Sequence, residues 1–80
     1  APTIELTAEE REVLEGYVRR RKTAQALATR ARIVLRCAEG GHDGIVAEEL
    51  GVSRGAVGRW RRRFATLRLQ GLHDEPRPGA

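Results

Sequence analysis

Residues 43–64 read DGIVAEELGVSRGAVGRWRRRF, and their order decides the fold. Asp43 stands ahead of Val46, Ala47 and Leu50, apolar or small positions at the three- and four-residue spacing of one helix face. Ser53 stands likewise ahead of Val57, Trp60, Phe64 and, further on, Leu67. Aspartate and serine are both residue types whose side chains accept from the free amides at a helix start. Gly51 supplies the positive φ that ends the first helix, and a connection this short sets two helices at a steep angle. Ala47 is small where the helices approach, while Val46, Leu50, Val52, Val57 and Trp60 fill the wedge between them. The stretch is a helix-turn-helix, its first helix running from Asp43 to Leu50 and its second from Ser53 to Arg68 or Leu69.

The flanks read as helices too. Thr7 followed by Glu10 is a capping box, which places a first helix from Thr7 to the neighbourhood of Arg19 to Arg21. Leu6, Val13, Leu14, Tyr17 and Val18 form its apolar stripe, and Glu9, Glu10, Glu12 and Glu15 face water near its positive end. Thr23 caps a second helix, with Ala24, Leu27, Ala28, Ala31, Val34, Leu35 and Ala38 on one face, and Gly40 and Gly41 stop it after Glu39. Beyond Gly71, Pro76 and Pro78 forbid regular structure. The fold class is all-α: a small four-helix domain over residues 1–70, with residues 71–80 as an extended tail or linker.

Composition narrows the function. A domain of 80 residues buries only about 60 to 65 % of its unfolded surface, so a deep enzyme cleft is not expected. Paired carboxylates, a nucleophile with its base, a phosphate loop and a metal cluster are all missing from the pattern, which argues against an enzyme and against any cofactor. Cys37 is alone, so no intramolecular disulfide forms, a reducing cytoplasm fits, and an inert thiol is the expected state. His42 and His73 have no partner at ligand spacing. No apolar run approaches the roughly 18 residues of a membrane span, and neither a membrane nor a small-molecule ligand is an expected partner.

Charge is arranged in blocks. Residues 1–18 carry a net −4, residues 19–36 +7, residues 37–50 −4 and residues 51–80 +5, and every cation but Lys22 is arginine. The planar guanidinium fork suits bidentate contact with phosphates and guanine edges, so the arginine bias points to double-stranded DNA. At 100° per residue, Val57, Trp60, Phe64 and Leu67 fall on one stripe of the second helix of the pair, which turns Gly55, Gly58, Arg59, Arg62 and Thr66 outward. Arg54 and Arg61 lie on one flank and Arg63 on the other. Residues near the start of such a helix reach base edges and those at its flanks meet phosphates. Arg54, Arg59 and Arg62 are therefore the candidate base readers, and Ser53, Arg61, Arg63 and Arg68 the candidate phosphate contacts. Gly55 and Gly58 each weaken a helix by about 1 kcal/mol against alanine. Either the backbone approaches DNA closely there, or the glycines are drift tolerated by packing. The run Arg19 to Lys22 reads equally as a phosphate contact or a solvated turn.

The stretch LGVSRGAVGRWRRRF (residues 50–64), followed by GLHDEPRPG (71–79), resembles the N-terminal region of bacterial insertion-sequence transposases of the mariner type. The opening LTAEER (6–11) and RARIVL (30–35) share in the resemblance, which covers nearly the whole chain. It implies a homeodomain-like fold that recognises the terminal inverted repeats of a mobile element in transposition, ahead of a second DNA-binding segment and a magnesium-dependent catalytic domain. Neither later part falls within these residues. It also implies a minor-groove role for Arg77, set between Pro76 and Pro78. A stand-alone transcriptional regulator, which a twofold-symmetric homodimer would favour, and a protein-interaction scaffold are the competing readings.

Overall fold

The computed structural model describes residues 4–73. They form α1 (Ala8–Arg19), α2 (Gln25–Ala38), α3 (Asp43–Leu50), α4 (Arg54–Leu67) and a closing 3₁₀ turn (Arg68–Leu72), with no strand among the described residues. None of these helices is long and apolar enough to cross a membrane.

Local chemistry sets most helix ends. The amide of Glu10 donates to Thr7 Oγ1 at 3.1 Å and the amide of Thr7 to Glu10 Oε1 at 3.0 Å, closing the capping box at α1. Ser53 Oγ accepts from the amide of Ala56 at 3.0 Å at the start of α4. Gly51 takes φ +69° after α3, and the amide of Val52 reaches back to the carbonyl of Ala47 at 3.0 Å. Two starts differ from the sequence reading. Thr23 closes the preceding turn through its amide, which donates to the Arg20 carbonyl at 3.4 Å, so the extended cap residue is Ala24 and α2 begins without a side-chain cap. At α3 the cap residue is His42, and Asp43 is the first helical residue, its carboxylate turned to another partner.

α2 packs against every other element: α1, α3, α4 and the 3₁₀ turn. A helix enclosed in this way needs more than one apolar stripe. Ile33 and Cys37 accordingly join Ala31 and Val34 in the core, although both lie off the face read from the sequence. Leu14, Val46, Val57, Phe64 and Leu72 complete the fully buried centre, and Val13 lies at the exposed edge of α1.

The chain does not leave the domain at Gly71. Arg68 takes a positive φ of 58°, which turns the backbone toward α2 and seats Leu72 in the core. Gly71 makes that path available: a Cβ there would stand 2.5 Å from the carbonyl oxygen of Arg63, so only glycine lets the two backbones pass. The extended segment read from Pro76 and Pro78 lies outside the described residues, as does Arg77.

Candidate nucleic-acid interface

α3, the turn at Gly51 to Ser53 and α4 present one helix outward from the body. Val57 and Phe64 are fully buried, and Arg61 is only 9 % exposed, so the inward face of α4 is centred on Val57 and Phe64. Trp60 is half-buried at the margin of the core, and Leu67 is 43 % exposed. From Val57, Arg61 lies about 40° round the helix and Leu67 about 80°. Centring the wheel on Val57 and Phe64 finds both facts, whereas averaging over the four large apolar residues hides them.

This corrects the flank. Arg61 points into the protein: its Nη2 donates to the Gly41 carbonyl at 2.7 Å and its Nη1 lies 3.3 Å from Asp43 Oδ1, so its guanidinium is engaged by the protein's own acceptors. Arg68 turns to α1, with Nε donating to Glu10 Oε2 at 2.9 Å and Nη2 to the Glu5 carbonyl at 2.6 Å. The neighbouring guanidinium holds the Glu10 carboxyl below its ordinary range. Arg63 is half-buried and donates to the carbonyls of Gly71 at 2.7 Å and His73 at 3.4 Å. Of the four residues read as phosphate contacts, Ser53 alone is exposed on the outward side, with its hydroxyl already capping α4.

Arg54, Arg59 and Arg62 are exposed, and no carboxylate among the described residues pairs with them. Gly55, Arg59, Arg62 and Arg63 line an open concavity along α4. The Arg54 guanidinium lies against Gly44 of α3, where an added Cβ would meet its Nε at 3.3 Å. Neither glycine of α4 is demanded by packing. A Cβ at Gly55 would have Ser53 Oγ as its nearest neighbour at 3.9 Å, and one at Gly58 would touch Asp43 Oδ2 at 3.4 Å, an ordinary contact.

One supporting residue was illegible in sequence. Arg30 of α2 places its guanidinium 4.1 Å from the centre of the Trp60 ring and donates to the Leu72 carbonyl at 3.0 Å. The acidic block at residues 37–50 is partly neutralised within the body, Glu39 and Glu49 by Arg36 and Asp43 by Arg61. No group of three or more potential metal ligands occurs among the described residues.

A family model described as a helix-turn-helix domain matches residues 29–80, which takes in α3, α4 and most of α2. No similar curated protein or solved structure was found.

Proposed function

The chain belongs to the helix-turn-helix domain family, a membership that suggests DNA binding, and from it we propose sequence-specific recognition of a DNA duplex through the outward face of α4. The observation that carries this reading is the sorting of the arginines. Arg61 and Arg68 are paired with carboxylates of the protein, while Arg54, Arg59 and Arg62 keep their charge toward solvent. Such a face is complementary to a polyanion, whose phosphates a row of guanidinium groups neutralises. Arg59 and Arg62 meet base edges in the major groove, with Arg54 at the helix start; Ser53 meets the sugar-phosphate backbone, and Arg63 borders the same concavity with its fork engaged by the Gly71 and His73 carbonyls. Gly55, exposed on the outward side, lets the backbone of α4 come close to the groove, and Gly58 does so on the flank nearer α3, where its missing Cβ would face Asp43.

We further propose that the duplex is the terminal inverted repeat of an insertion sequence, on the strength of the resemblance carried by residues 50–64 and 71–79 to mariner-type transposases. Arg77 belongs to this proposal as a minor-groove contact. The test is selection of bound duplexes from a random pool. One asymmetric site that matches the inverted repeats around a transposase gene supports the reading, and twofold half-sites about 34 Å apart would transfer it to a dimeric regulator. Affinity falls as salt rises, the slope of its logarithm against the logarithm of salt growing by about −0.9 for each phosphate that the arginines of this face neutralise. Arg59→Ala and Arg62→Ala each cost about 1 to 3 kcal/mol on the selected site and relax specificity. Equal losses on selected and random duplexes would refute these base contacts.

A further inference from the structure

Arg61 is a charged residue in an apolar setting, one turn beyond Val57 on the inward face of α4. Its fork reaches both sides of the α2–α3 connection: Nη2 donates to the carbonyl of Gly41 just after α2, and Nη1 meets the carboxylate of Asp43 at the first position of α3. The acceptor is rigidly placed. A Cβ on Gly41 would stand 2.8 Å from Val46 Cγ2 and 3.2 Å from the Arg36 carbonyl oxygen, so this backbone is pressed against its surroundings. The other oxygen of Asp43 lies on the side of α4 that carries Gly58, where an added Cβ would meet it at 3.4 Å.

We propose that Arg61 is a positioning residue that fixes the roll of α4 about its own axis, and thereby the selectivity of the duplex complex, without touching DNA. The proposal rests on the DNA-binding reading above. Apolar contacts at Val57 and Phe64 set the distance between α4 and the core but have little directional preference. A planar guanidinium that donates to a fixed carbonyl on one side and meets a carboxylate on the other has a preferred orientation. Arg59 and Arg62 precede and follow Arg61 on the same helix, so a roll of about 10° moves their tips by on the order of 1 Å at the radius of a helix with side chains. Recognition geometry tolerates only about half of that displacement. Buried ion pairs contribute little net stability compared with apolar residues of similar volume, so a role in arrangement accounts better for a guanidinium at this point.

The test uses the full chain with Arg61→Leu, Arg61→Lys and Asp43→Asn. The probes are the duplex that the wild-type chain recovers from a random pool and a scrambled duplex of equal length. Anisotropy of labelled duplexes gives both affinities, and circular dichroism gives the folded fraction. Arg61→Leu is expected to remain folded, to hold its affinity for the scrambled duplex within about twofold, and to lower the selected-to-scrambled ratio about tenfold, the size of one lost base contact. Arg61→Lys, a point charge in place of a fork, gives an intermediate ratio. An unchanged ratio in folded Arg61→Leu overturns the proposal by making Arg61 a core residue only, and an equal loss on both duplexes overturns it by making Arg61 a phosphate contact. If Arg61→Leu does not fold, Asp43→Asn decides: a lowered ratio in the folded variant supports the role and an unchanged ratio overturns it. A wild-type chain with no preference between the duplexes refutes the DNA reading itself, and the positioning role falls with it.

Discussion

Gly55→Ala and Gly58→Ala separate the two accounts of the glycines in α4 because the protein itself has room for both methyl groups. The nearest atom to an added Cβ is Ser53 Oγ at 3.9 Å for Gly55 and Asp43 Oδ2 at 3.4 Å for Gly58, so neither change creates a clash. Each removes the backbone entropy cost of glycine in a helix, about 0.5 to 1 kcal/mol, with Gly55 in the first turn at the lower end. In a domain of this size that gain raises Tm by about 4 to 8 °C per kcal/mol. The DNA account requires the opposite effect on binding: a methyl group between helix backbone and groove edge lowers affinity for the selected duplex by about tenfold, comparable to one mismatched base pair. Thermal melting by circular dichroism and anisotropy titration on one protein preparation read both quantities. Stabilised variants with wild-type affinity would refute close approach and leave the glycines as drift. Variants that gain no stability would refute the geometric premise.

Replacing Leu72 by alanine opens a cavity in the core and costs about 2 to 5 kcal/mol, and Gly71→Ala costs about 1 to 3 kcal/mol by forcing a Cβ onto the Arg63 carbonyl; urea melts measure both, and wild-type midpoints would place residues 71–72 outside the folded unit. The Glu10 carboxyl is held below its ordinary value of 4.5 by the hydrogen bond from Arg68, against an opposing effect of burial. Its folded value lies under its unfolded value, so the contribution is complete above the unfolded value and is lost as pH falls through the folded one. The Tm difference between wild type and Glu10→Gln therefore narrows between neutral pH and about pH 3, and a constant difference contradicts the assignment. Burial raises the Cys37 thiol above its ordinary range despite the nearby Arg61 guanidinium. Reaction with a disulfide reagent at neutral pH should proceed at the rate of structural opening, accelerating sharply in urea, and immediate stoichiometric labelling of the folded chain would show the thiol to be accessible.

What the sequence discloses here is what neighbouring residues decide among themselves. Thr7 with Glu10, Ser53 with Ala56 and Gly51 with Val52 involve partners a few positions apart, and their geometry follows from side-chain chemistry at a helix end. The outward placement of Arg59 and Arg62 follows from Val57 and Phe64, two and five positions away on the same helix. Where partners are distant in the chain, pattern fails. Arg30 and Leu72 meet across 42 positions, Arg68 and Glu10 across 58, and nothing local to Gly71 or Leu72 announces that the backbone folds back. Arg61 misleads for a different reason. A guanidinium reads as solvent-facing by type, and its burial becomes reasonable only once the Gly41 carbonyl and the Asp43 carboxylate are seen to converge on it.

The one tryptophan of the chain stands on α4 with a cation from α2 stacked over its ring at 4.1 Å and two further guanidinium carbons, from Arg59 and Arg63, at 5.7 and 5.4 Å. Its excited state is therefore sensitive to the same groups that a bound polyanion would attract. Intrinsic emission, recorded without label or mutation, becomes a direct optical readout of events on this helix, and energy lost or recovered at that indole can be followed on the stopped-flow timescale.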